Sequence, residues 1–340
     1  MPGERLRIVQ VNDINQVGSA HAAGLRALGH HVDVWQPSLA GAGGPLLVKL
    51  AAMPGRVLDL RHARRLLRPD RFDVAHLHWA SYGALGYLSR IPYVVQCHGT
   101  DVRERLADPV FRRPLASILR RAGAVLAITP DLLPVLRQVR PDVGFLPAPI
   151  DAERFSPCSD PPAGPSRPWT VLLFARLDAG KGADVSTAGI AGFARRHADV
   201  RVRVIDWGDQ RERYRALHGD RFEFLARVPP AEVPRLVRSA DAVVGQFALG
   251  ALGLSELQAM SCARPVIASF RYPDAYPIRP PLIGARTPEE IGAALETLLA
   301  QPDWAADLGA RARRWVVEHH DLRAVASRLE AVYRDVLGER

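Results

Sequence analysis

Lysine is almost missing from this chain: of its 45 basic residues only Lys49 and Lys181 are lysines, and the arginines are spread along its whole length. The net charge of +9 and the pI near 10.1 come without a basic stripe, zinc-ligand spacing or aromatic stacking motif, which argues against nucleic acid as a partner. So much arginine alongside abundant Ala, Gly and Pro fits a GC-rich coding sequence. Cysteine is scarce too. Cys97, Cys158 and Cys262 are odd in number and lack metal-ligand spacing, which fits a reducing cytoplasm rather than a disulfide framework. No apolar run approaches the ~18 residues a spanning helix needs. The N-terminus enters a strand-like run without the apolar core of a signal peptide, so the reading is a soluble, intracellular chain. No G-x-G-x-x-G follows the first strand, which counts against a dinucleotide-dependent dehydrogenase. Attraction to phosphorylated ligands or an anionic membrane surface fits the charge.

What is present is an ordinary folded composition, 48% hydrophobic and 24% charged, over 340 residues, enough for two domains. Short apolar runs alternate with amphipathic stretches, the pattern of parallel α/β architecture. In the first half the spacing predicts strands at Arg7–Asn12, His31–Trp35, Asp73–Trp79, Pro92–His98, Ala124–Thr129 and Val143–Pro147. Ser156–Pro168 holds five prolines and can continue neither helix nor sheet, so it reads as a linker. A second series follows, with strands at Trp169–Arg176, Val200–Trp207, Phe222–Ala226, Ala242–Phe247 and Pro265–Phe270. From Pro288 to Leu337 the pattern is consecutive helices. The expected domains are 1–155 and 169–320, with 156–168 between them and a terminal helix over 321–340 packing back on the first.

In doubly wound sheets ligands bind beyond the carboxyl ends of the strands, so the residues to inspect are those that end strands or open the next helix. Phe174-Ala175-Arg176-Leu177-Asp178-Ala179-Gly180-Lys181-Gly182 delivers an arginine at a strand end and then one of the two lysines after a tight turn. Two such cations suit a diphosphate, the arginine gripping bidentately and the lysine acting as a point charge. In Gly250-Ala251-Leu252-Gly253-Leu254-Ser255-Glu256-Leu257-Gln258, the glycines leave backbone N–H groups open at a helix start, where an anion can sit. Ser255 and Gln258 share one face of that helix, Glu256 faces elsewhere, and Leu254, Leu257 and Met260 suit the core.

Together these stretches resemble the retaining glycosyltransferases of family 4. That resemblance implies the GT-B fold: an α/β chain of two doubly wound Rossmann-like domains facing a central cleft, with a helical C-terminal tail. Arg176 and Lys181 match the family's R-x4-K pair, which holds the diphosphate of a nucleotide sugar. Gly253-Leu254 and Gln258-Ala259-Met260-Ser261-Cys262 match its glycine-leucine and E-A-M-A-C segments. Gly250 and Gln258 stand where the family has two glutamates, the first facing the donor sugar and the second the ribose. A glutamine still accepts a ribose hydrogen bond. Gly250 puts the donor sugar in question: the expectation is a donor modified or seated differently on that side, a preference that Gly250→Glu would shift.

In the first half, Gln96-Cys97-His98-Gly99-Thr100-Asp101 resembles the family's H-G-x-D turn, whose histidine contacts the donor sugar. Val17-Gly18-Ser19 falls at the family's glycine-rich first loop, though the preceding Asn12-Asp13-Ile14-Asn15-Gln16 is unusual there. The implied catalytic set is His98, Arg176 and Lys181. The donor set is Gly18, Gly208, Asp209, Gly253, Leu254, Ser255 and Gln258, with His78, Asp101 and Asn15 on the acceptor side. His76 and His78 lie two apart on one strand face, but no third metal ligand is identifiable, and no metal or other cofactor is expected. The resemblance implies transfer from a nucleoside-diphosphate sugar, preferably a UDP-sugar, to a hydroxyl of a small-molecule or lipid-linked acceptor, with a peripheral contact at the inner membrane face. A GT-B protein that binds nucleotide sugars without activity is the alternative, and transfer assays with an acceptor panel separate the two. A pyridoxal-phosphate phosphorylase shares the fold but is much longer.

Overall fold

The computed structural model describes residues 4–37, 53–157 and 168–338. The chain forms two compact units, Met1–Pro149 with Leu322–Arg340, and Ile150–Asp321. Of the proline-rich segment, residues 158–167 lie outside the described residues. The chain passes between units at 149–150, ahead of that segment. Ile150 N donates to His320 O at 2.7 Å, and the Arg313 guanidinium donates to the Ala152 and Phe155 carbonyls at 3.2 Å, tying 150–155 to the second unit.

Six parallel strands build the first sheet: β1 (Arg7–Val11), β2 (His31–Trp35), β3 (Val74–His78), β4 (Tyr93–Cys97), β5 (Ala124–Ala127) and β6 (Gly144–Phe145), in the order β2-β1-β3-β4-β5-β6. The second sheet holds β7 (Thr170–Leu173), β8 (Arg201–Ile205), β9 (Phe222–Leu225), β10 (Ala242–Val244), β11 (Val266–Ala268) and β12 (Ile283–Gly284), in the order β12-β11-β10-β7-β8-β9. Both are doubly wound, so each has a switch point, β1/β3 in the first sheet and β7/β10 in the second. Helices cover both faces of such a sheet, so its strands are buried throughout and read as apolar runs. All residues of β3, β4, β7 and β10 are buried. The two-residue β12 has no apolar run and escapes that reading.

Helix α1 (Val17–Ala27) follows β1, α2 is Pro109–Arg121, α3 (Ala183–Ala194) follows β7, α4 is Leu254–Ser261 and α5 is Leu322–Leu337. The last returns to the first unit because its apolar stripe is buried there. Val325, Ala326, Leu329 and Tyr333 are fully enclosed and cluster with Ile8, Leu25, Val74 and Val94. The second core gathers Val171, Leu173, Ile190, Phe193, Val202 and Ile267 with Ile291 and Leu295 of the helix Pro288–Ala300. Among the described residues no helix is long and apolar enough to cross a membrane.

Candidate active site

In the second unit the two sequence motifs meet at the β7/β10 switch point, joined by Gln246. Lys181 Nζ donates to Gln246 Oε1 at 3.0 Å, and Gln246 Nε2 donates to Ala251 O at 2.8 Å. Glu256 is buried; one carboxylate oxygen accepts from Gln246 N at 2.8 Å and the other from Gly253 N at 2.9 Å. Glu256 therefore clamps the loop 246–253 onto the start of α4, and Leu257, Ala259 and Met260 turn inward with it. Leu254, Ser255 and Gln258 remain partly exposed on the other side.

Asp178 is a second hub. Its carboxylate accepts from Asp209 N at 2.7 Å and pairs with Arg176 Nε at 3.0 Å, while its carbonyl takes the Lys181 N–H at 3.0 Å. Arg176 is exposed and also lies over the Trp207 ring, 5.6 Å from its centroid. Gly208 has φ +135°, and a Cβ there would collide with the Leu177 backbone, so the strand-end turn can close only on glycine. Arg176, Lys181, Gly208, Asp209 and the face of α4 thus belong to one connected framework.

Gly250 is explained by its surroundings. Its φ is +67°, and a Cβ would run into Arg271 Nε, whose backbone N–H donates to Gly250 O at 2.8 Å. The residue serves a left-handed turn packed under an arginine. Gly250→Glu would strain that turn directly, so it cannot report donor preference, and the expectation built on it is withdrawn.

In the first unit the β1–α1 loop makes a sharp turn without the family's glycines. Asn12, Asn15 and Gln16 all have positive φ, at 73°, 51° and 64°. Asparagine tolerates that region best among side-chain-bearing residues. Asn12 Nδ2 donates to His78 O at 3.0 Å, Asp13 accepts from Ser19 N at 2.8 Å, and Asn15 is exposed at the tip. Gly18 lies against Asp13 and His78 Nε2.

His98, partly exposed after β4, is where the histidines converge. His78 Nδ1 meets His98 Nε2 at 3.0 Å, and His78 Nε2 meets Gln10 Oε1 at 2.8 Å. His78 is fully buried behind His98, so its assignment to the acceptor side is corrected: it can touch no acceptor. Asp101 is corrected for the same reason. It is fully enclosed, and its carboxylate accepts from Ala80 N, His98 N and Gly99 N at 2.8, 3.0 and 2.7 Å, holding the turn that carries His98. Burial pushes its carboxyl up against the pull of those N–H groups.

The fold also supplies what spacing could not show, a third imidazole beside His76 and His78. Among the described residues, ligand atoms of His21, His76 and His78 lie within 4.8 Å of one another. The His76 and His78 rings are stacked, with centroids 4.5 Å apart and planes 9° from parallel. A nitrogen lone pair lies in its ring plane, and parallel displaced planes share no point for a common ion. Burial holds all these imidazoles neutral. It pushes His21 and His98 down to about 3, and neighbouring imidazoles add to its effect on His76 and His78, which lie well below the usual histidine range.

Two family models cover most of the chain: Glycosyltransferase Family 4 over residues 19–154 and Glycosyl transferases group 1 over 160–315. The chain belongs to glycosyltransferase family 4. Among curated relatives, this glycosyltransferase is 25% identical to the alpha-D-kanosaminyltransferase of Streptomyces kanamyceticus, across 83% of this chain and 82% of that one. It is 25% identical to the D-inositol 3-phosphate glycosyltransferase of Corynebacterium jeikeium, across 66% of this chain and 61% of the relative's length. Among solved structures, sucrose-phosphate synthase from Thermosynechococcus elongatus aligns over 99% of this chain and 100% of its own, with TM-score 0.74 and 18% identity. The Anabaena protein HepE, solved with UDP and glucose, aligns over 96% and 99% with TM-score 0.69 and 14% identity. These likenesses establish the GT-B fold.

Sequence reasoning missed Gln246, Glu256 and Asp178 in the glycosyltransferase's second unit, and Gln10, His21 and Tyr333 in its first. One signal was available: polar residues inside otherwise apolar strands, Gln10 in β1, His76 and His78 in β3 and Gln96 in β4. Burying such groups costs free energy unless they find partners, so each implies a contact.

Proposed function

We propose that this enzyme moves a sugar from a nucleoside-diphosphate sugar to an acceptor hydroxyl with retention of configuration and without a metal. The observation that carries the reading is the bond from Lys181 through Gln246 to the Glu256-clamped start of α4, which presents a cation and open N–H groups from one framework. Arg176, Lys181 and the Leu254 N–H at the start of α4 neutralise the charge that develops on the departing diphosphate, the kind of fixed electrostatic help that costs no reorganisation during reaction. Gln258 accepts from a ribose hydroxyl, and Gly208 and Asp209 shape the nucleotide side. On the first unit His98 accepts from a sugar hydroxyl, while the exposed Asn15 borders the substrates and the buried Gly18 packs behind the loop. The acceptor hydroxyl passes its proton to a donor phosphate oxygen, so no acid/base carboxylate pair of the glycosidase kind is required.

A UDP-sugar donor is supported by HepE, solved with UDP-glucose. A cyclitol acceptor is supported by the D-inositol 3-phosphate glycosyltransferase relative. Thermal-shift titration with UDP, GDP, ADP and TDP identifies the base, because only a binder stabilises the folded state. UDP should raise the melting temperature most, and no shift with any of them would count against donor binding. His98→Ala should lower transfer strongly and leave nucleoside-diphosphate affinity within about threefold. An equal loss of nucleotide affinity would remove the sugar-contact role.

The reading includes a cytoplasmic setting, supported by the unpaired, buried Cys97 and Cys262, with peripheral contact at the inner membrane face. The outer side of α2 exposes Val110 and Phe111 beside Arg112 and Arg113, and at its other end Arg121 lies over the exposed Tyr87 ring. Basic and apolar groups together suit an anionic surface. Flotation with anionic vesicles should recover the protein, and Phe111→Ser or high salt should weaken recovery. Equal recovery with neutral vesicles would remove this contact from the reading.

A further inference from the structure

Two donors and acceptors of fixed sense control a chain of side chains that ends at His98. Gln10 Nε2 donates to the Tyr333 oxygen, which leaves the phenol's own proton for His76 Nδ1, 2.7 Å away. His76 is neutral, and Nδ1 is its bare nitrogen. Burial holds the phenol well above its ordinary pKa, so it keeps the proton it donates. Having spent that proton, the Tyr333 oxygen accepts from Gln10 Nε2 at 3.0 Å, which aims Gln10 Oε1 at His78. A carbonyl oxygen can only accept, so His78 Nε2 carries hydrogen and His78 Nδ1 is bare. His98 Nε2, 3.0 Å from that bare nitrogen, must then carry hydrogen.

We propose that Gln10 is a positioning residue that, through His78, fixes His98 as the Nε2–H tautomer and so leaves its Nδ1 a bare acceptor for a substrate hydroxyl. Gln10 lies fully buried in the middle of β1, paired in register with His76, and touches no surface, so it acts only through its neighbours. Partners on two elements hold its amide, β3 through His78 and α5 through Tyr333, with His76 of β3 behind Tyr333. A neutral imidazole with a bare nitrogen accepts from a sugar hydroxyl and cannot donate to a phosphate. The chain thus assigns His98 to the sugar rather than to the diphosphate. This rests on the proposed role of His98, but the tautomer can be read without activity.

The test is two-bond ¹H–¹⁵N correlation NMR on protein labelled with ¹⁵N-histidine, with the resonance identified by its loss in His98→Ala. The wild-type enzyme should show His98 protonated at Nε2 and bare at Nδ1. In Gln10→Leu, which removes the acceptor, His98 should populate both tautomers, and transfer should fall about tenfold or more with nucleoside-diphosphate affinity unchanged. Tyr333→Phe should disturb the tautomer in the same direction, with α5 remaining docked through Val325, Ala326 and Leu329. A wild-type His98 carrying hydrogen on Nδ1 would overturn the proposal, because the whole chain would then run in reverse. An unchanged tautomer in Gln10→Leu would overturn it as well. Should the tautomers behave as expected while His98→Ala transfers sugar normally, the role of His98 at the sugar fails and the positioning chain stands.

Discussion

Alanine at Arg176 or at Lys181 should lower transfer by about 100-fold or more, the loss that removal of one charge-stabilising donor usually brings. The two substitutions should differ in their side effects. Lys181 Nζ also holds Gln246, whose backbone N–H and amide tie β10 to the α4 loop, so Lys181→Ala should loosen that loop and weaken nucleotide binding too. Arg176 is exposed and braced by Asp178 and the Trp207 ring, so Arg176→Ala should leave the framework standing and affect mainly the reaction. Neither side chain belongs to the core, and both variants should unfold near the wild-type midpoint. Specificity constants measured with a saturating acceptor decide this, and near-normal values in both variants would remove the diphosphate assignment.

Acidification should unfold the first unit early. His21, His76, His78 and His98 are all held below the ordinary histidine pKa, with burial as the largest cause. A group with a lowered folded pKa binds protons more readily in the unfolded chain, so its stabilising contribution is complete above pH 6.5. That contribution is lost as pH falls from 6.5 towards about 3, the value to which burial pushes His21 and His98 in the folded protein. Each imidazole contributes a slope of up to ~1.4 kcal/mol per pH unit, so four together approach ~5 kcal/mol per unit. His21 isolates the effect, because neither of its ring nitrogens has a hydrogen-bond partner among the described residues. His21→Leu removes an unsatisfied buried polar ring, so it should stabilise the protein and flatten the acid slope by one proton. Denaturant midpoints at pH 7.5, 6.5 and 5.5 for both proteins measure this. A lower midpoint for His21→Leu at pH 7.5 would show that the imidazole is satisfied and useful where it sits.

The two α/β units are legible in the sequence because a parallel sheet covered on both faces demands apolar strands, and amphipathic helices must separate them. The sequence carries both patterns, as in Tyr93–Cys97 and Thr170–Leu173. Arg176, Lys181 and the Gly253–Gln258 helix start were legible for a related reason: strand ends and helix starts are local features, and their side chains fall where ligands of doubly wound sheets bind. Local pattern also placed Glu256 off the face shared by Ser255 and Gln258.

Only the tertiary structure decided which polar groups meet. Gln10 and Tyr333 bond across 323 residues, and Lys181 and Gln246 across 65, separations on which no helical or strand period acts. Strand-end position made His78 and Asp101 look open to an acceptor, yet enclosure by neighbouring chain turned one into a brace for His98 and the other into the anchor of its turn. The glycine at 250 looked like a lost carboxylate until its positive φ and the Arg271 side chain packed over it showed a turn that favours glycine. Apolar burial has no direction and leaves its mark as periodicity along the chain, whereas hydrogen bonds are directional and pairwise. Their partners are therefore settled by the sheet order and by the helix Leu322–Leu337 returning to the first unit.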